Sequence, residues 1–155
     1  HELIIISDLF GAIEKNQCVK TNRTRQFDVA VSAAFSFQTK SGVIGTLLLS
    51  DCIDAPWSWE FTVHENTAYP KHHGDCYFIG GTKGSIQFPS MQVHSYSNNS
   101  DWWPPMDHEF ISVAENDPFR EQARNLIKMI KYGSLPIVSY SAALSVLKLL
   151  DEELR

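Results

Sequence analysis

The sequence predicts an α+β fold, with an open, mainly antiparallel β-sheet and helices packed on one face of it. Two observations support this prediction. Strand-like segments fill most of residues 12–113, whereas residues 118–154 switch to helical spacing. Strands that come first and helices that come later favour an antiparallel sheet over a βαβ array. We expect the 155 residues to form a single domain, residues 1–155.

The chain opens with a short apolar segment that predicts a helix over residues 2–10. Its apolar side chains share one helical face, and Gly11 suits the left-handed position that follows a helix. The isoleucine run in this segment leaves a strand open as an alternative. Residues 12–24 are polar with scattered apolar positions, and we interpret them as one long strand.

The clearest strand signal covers residues 27–52, where bulky and small side chains alternate and so line opposite faces. The bulky set is Val29, Val31, Ala33, Phe35 and Phe37, and the small set is Ala30, Ser32, Ala34 and Ser36. A turn at residues 39–42 returns the chain as a second strand over residues 43–50, which makes a hairpin. We expect Gly45 and Thr46 to continue the small face, which could pack closely on another subunit.

The second half contains short strands and two helices. Residues 53–74 are irregular and aromatic, although residues 59–64 could form a strand. Further strands are predicted at 76–81, 84–88, 91–96 and 108–113. Asp117 and Pro118 start a helix that Gly133 ends, and Ser139 can cap a second helix. The apolar stripes are Phe119, Ala123, Leu126, Ile127 and Ile130 in the first helix, and Ala143, Leu147, Leu150 and Leu154 in the second.

Composition excludes several classes of partner. The net charge of −5 and the lack of a basic run argue against nucleic acid. The apolar stretches are too short to span a bilayer, so we expect no membrane partner. Sparse cysteines suit the reducing cytoplasm, and the lack of a CxxC pair argues against a structural zinc ion.

Because the sequence starts inside an apparent element, we interpret it as a fragment of a longer protein.

No motif in the sequence predicts a nucleotide or metal site. There is no GxGxxG after a strand, and the glycine-rich segment 80–85 precedes a strand, so we interpret it as a tight turn and expect no cofactor site. His72, His73, Asp75 and Cys76 are possible metal ligands, but they are crowded into five residues. We therefore expect no metal and favour a polar loop that touches a substrate. Surface or packing roles are expected for His64, His94 and His108.

The four tryptophans, Trp57, Trp59, Trp102 and Trp103, allow two interpretations. Aromatic packing in a core or interface is the more common role. Alternatively, Trp57 and Trp59 could form a wall against the apolar C–H faces of a sugar or polyol, while His72, His73 and Asp75 bind its hydroxyls. These five residues are our candidate substrate-binding set.

The chain resembles the C-terminal domain of the glucose–fructose oxidoreductase, inositol dehydrogenase and rhizopine-catabolism family, called Gfo/Idh/MocA. The likeness spans nearly the whole chain. Ordered segments carry it: the helix His1–Gly11, the hairpin Phe27–Leu47, the strand Ser58–Glu60, the glycine-turn segment Cys76–Ile86 and the helix pair Asp117–Ala143. Each segment is weak alone, but the ordered set is fairly specific.

The resemblance implies a dihydrodipicolinate-reductase-like C-terminal domain whose N-terminal Rossmann partner, which would bind NAD or NADP, is missing here. It implies hydride transfer on a sugar, polyol or related hydroxy compound, and a homo-oligomer (dimer or tetramer) formed through the sheet face. His1 matches the family's catalytic histidine, whose aspartate partner would lie before residue 1. Ile4 and Ala12 replace acidic residues that are common in the family. Alternatively, His1 has no catalytic role and is simply the residue at which the first helix starts.

Three hypotheses follow in order. The chain is the substrate-side domain of an NAD(P)-dependent oxidoreductase, inactive by itself. Alternatively, it is a binding or oligomerisation module without catalysis. A small standalone enzyme ranks last, because no complete site is apparent in the sequence.

Overall fold

Seven strands form two antiparallel sheets in residues 1–97, 103–114 and 116–154, which the computed structural model describes. The elements are α1 Glu2–Phe10, β1 Ile13–Thr21, β2 Ser32–Thr39, β3 Ile44–Ser50, α2 Trp59–Val63, β4 Tyr77–Gly81, β5 Gly84–Phe88, β6 Gln92–Ser95, β7 Asp107–Phe110, α3 Pro118–Tyr132 and α4 Tyr140–Leu154. The predicted α+β class with antiparallel strands is confirmed. The strands are divided between two sheets, which the sequence did not indicate.

The chain divides into two compact units. The first comprises His1–Ile53 and the residues from Gln122 onward, and the second comprises Asp54–Glu121. The first holds the sheet β1-β2-β3 and the second the sheet β4-β5-β6-β7. Within the described residues, no helix is both long and apolar enough to cross a bilayer.

The core of the first unit lies on one face of β1-β2-β3. Phe35 and Phe37 on β2 are 4% and 7% exposed, and Leu3 of α1 packs with them at 8%. Partly buried apolar residues of α1, the sheet and α4 surround this core: Ile6, Ile13, Cys18, Leu47, Val146, Leu149 and Leu150. Phe35 and Phe37 therefore share one face of the sheet, as period-two spacing predicts. Residues of α1 and α4 cover that face.

The start of the predicted hairpin needs correction. β2 begins at Ser32, so Val29 lies outside the strand and is 67% exposed. The reason is local, because the chain turns at residues 23–26 and the Asn22 side chain donates to the Phe27 carbonyl at 2.8 Å. The backbone N–H of Val31 still donates to the Thr21 carbonyl, just ahead of the ladder.

The small face of the hairpin is confirmed only in part. Ala34 and Ser36 are exposed on β2, and Thr46, which pairs with Ser36, is exposed on β3. Gly45 was assigned to this face wrongly. It pairs with Phe37, and a Cβ at Gly45 would overlap the Phe37 ring. Directly opposed residues share a side of the sheet, so Gly45 belongs to the buried face.

The second unit is built on a four-stranded meander. Gly81 pairs with Gly84 across Thr82 and Lys83, so the predicted tight turn between strands is confirmed. The predicted last strand is also present, although it ends at Phe110 and not at Val113.

Residues 59–63 form the short helix α2, so the strand considered for this segment is wrong. Ser58 caps the helix, since its hydroxyl accepts from the Phe61 backbone N–H at 3.3 Å. Glu60 in the first turn suits the positive end of the helix dipole. Both signals can be found in the sequence, but the aromatic side chains here also favour a strand.

The two C-terminal helices start as predicted. The Asp117 carboxylate accepts from two backbone N–H groups in the first turn of α3, at 3.0 and 3.1 Å. Ser139 accepts from the Ala142 N–H at 3.1 Å. Gly133, at φ 65°, follows α3 in the left-handed conformation.

The burial of the two helical stripes differs from the expectation. No described residue of α3 is buried, and Ile130 is 76% exposed. On α4, Leu150 packs on the core, but Leu147 of the same predicted stripe is 62% exposed. Val146 and Leu149 pack on the core instead, because the packed face is rotated from the stripe that the spacing indicated.

Candidate functional site

An aromatic cluster surrounds α2 in the second unit. We define it as Trp59, Phe61, Tyr69, His72 and Tyr77. Trp59 stacks on Tyr77 with ring centroids 5.5 Å apart and planes at 20°. Phe61 meets Tyr69 edge-on at 5.8 Å and His72 edge-on at 5.2 Å. Both arrangements are favourable geometries for aromatic pairs.

The cluster is held by hydrogen bonds as well as by ring contacts. The Trp59 indole N–H donates to Glu65 Oε2 at 3.1 Å, which fixes the direction of the ring edge. The backbone N–H of His72 donates to the Phe61 carbonyl at 2.8 Å and ties the following loop to α2. These contacts hold two ring groups in place: Trp59 with Tyr77 joins α2 to β4, and Phe61 with Tyr69 and His72 joins α2 to the following loop.

A buried hydroxyl of α2 contacts the thiol of Cys76, which precedes β4. Thr62 is 3% exposed, and its hydroxyl donates to the Ser58 carbonyl at 2.8 Å. Cys76 Sγ lies 3.4 Å from the same hydroxyl. Burial raises the pKa of the Cys76 thiol, which therefore stays protonated near neutral pH. These properties describe a packing residue and not a nucleophile.

Asp75 has two hydrogen bonds within the fold. One carboxylate oxygen accepts from the Ser90 backbone N–H at 2.8 Å, and the other accepts from the Ser90 hydroxyl at 3.0 Å. The carboxylate thus joins the segment before β4 to the turn after β5. Its predicted contact with a substrate stays a prediction.

The other predicted substrate residues have different environments. Trp59 and His72 belong to the aromatic cluster. Trp57 is 69% exposed, and His73 is also exposed. Trp103 is 90% exposed, whereas Trp102 lies outside the described residues. Trp59 and His72 belong to different ring groups around α2, and the substrate role of all five predicted residues stays a prediction.

His1 belongs to the first unit, where it precedes α1. Its carbonyl accepts from the backbone N–H groups of Ile4 and Ile5, at 3.0 and 3.1 Å. Its side chain makes no cap hydrogen bond and is fully exposed. The catalytic role of the imidazole stays a prediction.

Sequence reasoning did not assign site roles to Phe61, Tyr69 or Tyr77, and it gave His64 a surface or packing role. His64 ends α2 in the left-handed conformation, at φ 63°. Its Nδ1 is buried and has no hydrogen-bond partner among the described residues. Histidine adopts the left-handed conformation more readily than most residues. This preference is the only feature of the sequence that could have indicated the end of a helix at His64.

The glycine-rich segment 80–85 does not have the form of a dinucleotide-binding turn. The pyrophosphate of a dinucleotide needs a glycine-rich turn followed by a helix N-terminus. Here the glycine-rich segment joins two antiparallel strands, β4 and β5. No group of three or more His, Cys, Asp or Glu residues converges on a possible metal position in the described parts of the chain.

Comparison with known proteins supports the fold. No family model and no curated protein matches the sequence. Among solved structures, the chain is similar to the UDP-N-acetylglucosamine 3-dehydrogenase GnnA from Acidithiobacillus ferrooxidans, with a TM-score of 0.69 and 14% sequence identity. The similarity covers 99% of this chain and 45% of that chain. This chain therefore spans less than half the length of the dehydrogenase, and at this identity the likeness shows the fold alone.

Proposed function

We propose that this chain is the substrate-binding and oligomerisation domain of an NAD(P)-dependent oxidoreductase of the Gfo/Idh/MocA family. The observation that carries the proposal is the backbone similarity to a dehydrogenase over 99% of the chain. The ordered sequence resemblance to the same class of enzyme supports it independently. The substrate would be a sugar, a polyol or a related hydroxy compound, and the three free thiols suit a cytoplasmic protein.

The aromatic cluster is the proposed substrate wall. Sugars present apolar C–H faces that suit a flat aromatic surface. The stacked pair of Trp59 and Tyr77 offers such a surface, and its orientation is set by the bond to Glu65. His72 and His73 would supply hydrogen bonds to hydroxyls beside this surface.

His1 is the proposed acid–base residue. Oxidation of a C–H bond that bears a hydroxyl transfers a hydride to the nicotinamide when that cofactor is bound. The hydroxyl must also lose its proton, and a neutral imidazole can accept it near neutral pH.

The test uses the full-length protein that carries this chain. Purified enzyme is incubated with NAD or NADP and a panel of sugars, polyols and UDP-sugars, and formation of the reduced nicotinamide is followed. We expect turnover with at least one compound. His1→Ala should lower kcat by about 10²-fold, the usual size of an acid–base contribution. Trp59→Ala should mainly raise KM.

Tyr132→Ala is the matched control, because it truncates an aromatic side chain that is 76% exposed on α3. Its kinetics should equal those of the wild type. The 155-residue chain alone should show no NAD binding in calorimetry. Full-length protein that oxidises none of the compounds would favour the alternative, a binding or oligomerisation module without catalysis.

The proposed oligomer forms through the outer face of β1-β2-β3. Val19, Ala34 and Leu48 are in register across the three strands, and Val19 and Leu48 are 68% and 72% exposed. A second copy could cover this row of apolar side chains around a small central residue. Leu48→Glu should shift the assembly towards the monomer in sedimentation, whereas Tyr132→Ala should not. A monomeric wild type would refute this interface and leave the proposed chemistry untouched.

A further inference from the structure

Two histidines face each other across neighbouring strands of the second unit. His94 on β6 is the direct cross-strand partner of His108 on β7. Their ring centroids are 6.3 Å apart, with planes at 40°. Directly opposed residues of an antiparallel pair project from the same side of the sheet. His94 is partly buried and His108 is exposed, so the pair is accessible from solvent.

Gln87 on β5 places a third possible metal ligand beside His94. Its amide nitrogen lies 3.4 Å from His94 Nε2. That is long for an N–H hydrogen bond, which is commonly about 2.9–3.0 Å. A half-turn of the amide exchanges nitrogen for oxygen at this position. Two donors that each lie about 2.1 Å from one tetrahedral ion are about 3.4 Å apart, so this spacing suits a shared cation.

The spacing of the two imidazoles is also close to what a metal requires. Rings bound through nitrogen to one tetrahedral ion have centroids about 5 Å apart, given metal–nitrogen bonds of about 2.0–2.1 Å. The observed 6.3 Å therefore has to shorten by about 1 Å. Rotation of the exposed His108 side chain can supply this movement, because exposed side chains change rotamer readily.

We propose that His94 and His108, with the amide oxygen of Gln87, bind a divalent transition-metal ion of the Cu²⁺, Ni²⁺ or Zn²⁺ class. Imidazole ligands suit these ions, whereas Ca²⁺ and Mg²⁺ prefer carboxylate and carbonyl oxygens. This inference departs from the expected surface or packing roles of the two histidines. Two imidazoles and a neutral amide form a weaker site than four charged ligands, and among the divalent ions Cu²⁺ should bind best.

Metal binding would join three strands of the second sheet. β7 is the last strand in the order β4-β5-β6-β7, and its described strand partner is β6 alone. An ion held by β5, β6 and β7 stabilises the folded state over the unfolded one, because the unfolded chain does not hold the ligands together. Addition of metal therefore raises the midpoint of thermal unfolding.

The experiment titrates Cu²⁺, Ni²⁺ and Mg²⁺ separately into the 155-residue chain by calorimetry. Every protein carries His1→Ala and Cys52→Ser, because an N-terminal histidine and an accessible thiolate each bind the same ions. We expect a single class of Cu²⁺ sites, weaker Ni²⁺ binding and no Mg²⁺ binding. His94→Asn or His108→Asn should each weaken Cu²⁺ binding at least about tenfold, equal to about 1.4 kcal/mol.

The matched control is the double variant His72→Asn and His73→Asn, which replaces two neighbouring histidines in a loop away from β6 and β7. It should bind Cu²⁺ as tightly as the protein in which His94 and His108 are unchanged. A second measurement needs no variant at the site: sub-stoichiometric Cu²⁺ should selectively broaden the NMR resonances of His94 and His108. Unchanged Cu²⁺ binding in His108→Asn, broadening centred on other histidines, or loss of binding in the loop control would each overturn the proposal.

Discussion

Replacing Phe35 with alanine tests whether the helix-covered face of β1-β2-β3 stabilises the first unit. Phe35 is 4% exposed and stacks on Phe37 with ring centroids 6.4 Å apart. Truncation removes about 120 Å² of buried apolar surface from a side chain of about 150–250 Å². At about 25 cal/mol per Å², the transfer term alone is about 3 kcal/mol.

A residual cavity normally adds to this cost and gives a range of about 3–5 kcal/mol for Phe→Ala. Phe35 also lines an open cleft of about 450 Å³ beside Leu3 and Leu150. Because the new space joins this cleft and does not form a closed void, we expect the lower end of the range, about 3 kcal/mol. Denaturant unfolding followed by far-UV circular dichroism measures the difference.

Ser36→Ala on the same strand is the matched control, since Ser36 is exposed and its change should cost less than about 0.5 kcal/mol. A cost below about 1 kcal/mol for Phe35→Ala, or equal costs for both variants, would refute the assignment of the buried face.

Three further predictions concern single contacts. Ser58→Ala removes the cap of α2 and should destabilise the protein by about 1 kcal/mol, measured by denaturant unfolding; no change would show that the cap is dispensable. Gly45→Val should cost about 1–3 kcal/mol in the same assay, because the new Cβ overlaps the Phe37 ring, and a neutral result would contradict the register of β2 and β3. Iodoacetamide near neutral pH should alkylate Cys52 faster than Cys76 in peptide mass spectrometry, and the reverse order would contradict the assigned environments. The reason is that hydrogen bonds from serine hydroxyls lower the pKa of Cys52, whereas burial raises the pKa of Cys76. The difference between the two alkylation rates should narrow as the pH rises, because both thiols then become thiolates.

The sequence predicted best those features that depend on neighbouring residues. The caps at Asp117 and Ser139 are bonds within three residues, and both are present. Alternation along β2 predicted that the bulky and small side chains lie on opposite faces, because the pleat itself has a period of two. The five-residue helix α2 escaped prediction, since its aromatic side chains suit a strand as well as a helix.

Features that depend on distant residues were not predictable in this way. The division of seven strands into two sheets depends on which strands pair, and a single sequence does not reveal pairing. The exposed position of Leu147 follows from the rotation of α4 against its neighbours, which helical spacing alone does not set. The aromatic cluster joins a helix to a strand and a loop, so only the fold brings its members together.

The segment of residues 72–76 illustrates why residue types alone do not assign a site. His72, His73, Asp75 and Cys76 are all chemically capable side chains, yet their surroundings differ. Asp75 accepts two hydrogen bonds from Ser90, and the Cys76 thiol is kept protonated by burial. A substrate hydroxyl would have to compete with Ser90 for the Asp75 carboxylate. We therefore expect the histidines to make the polar contacts with a substrate, while Asp75 and Cys76 hold the segment in place beneath them.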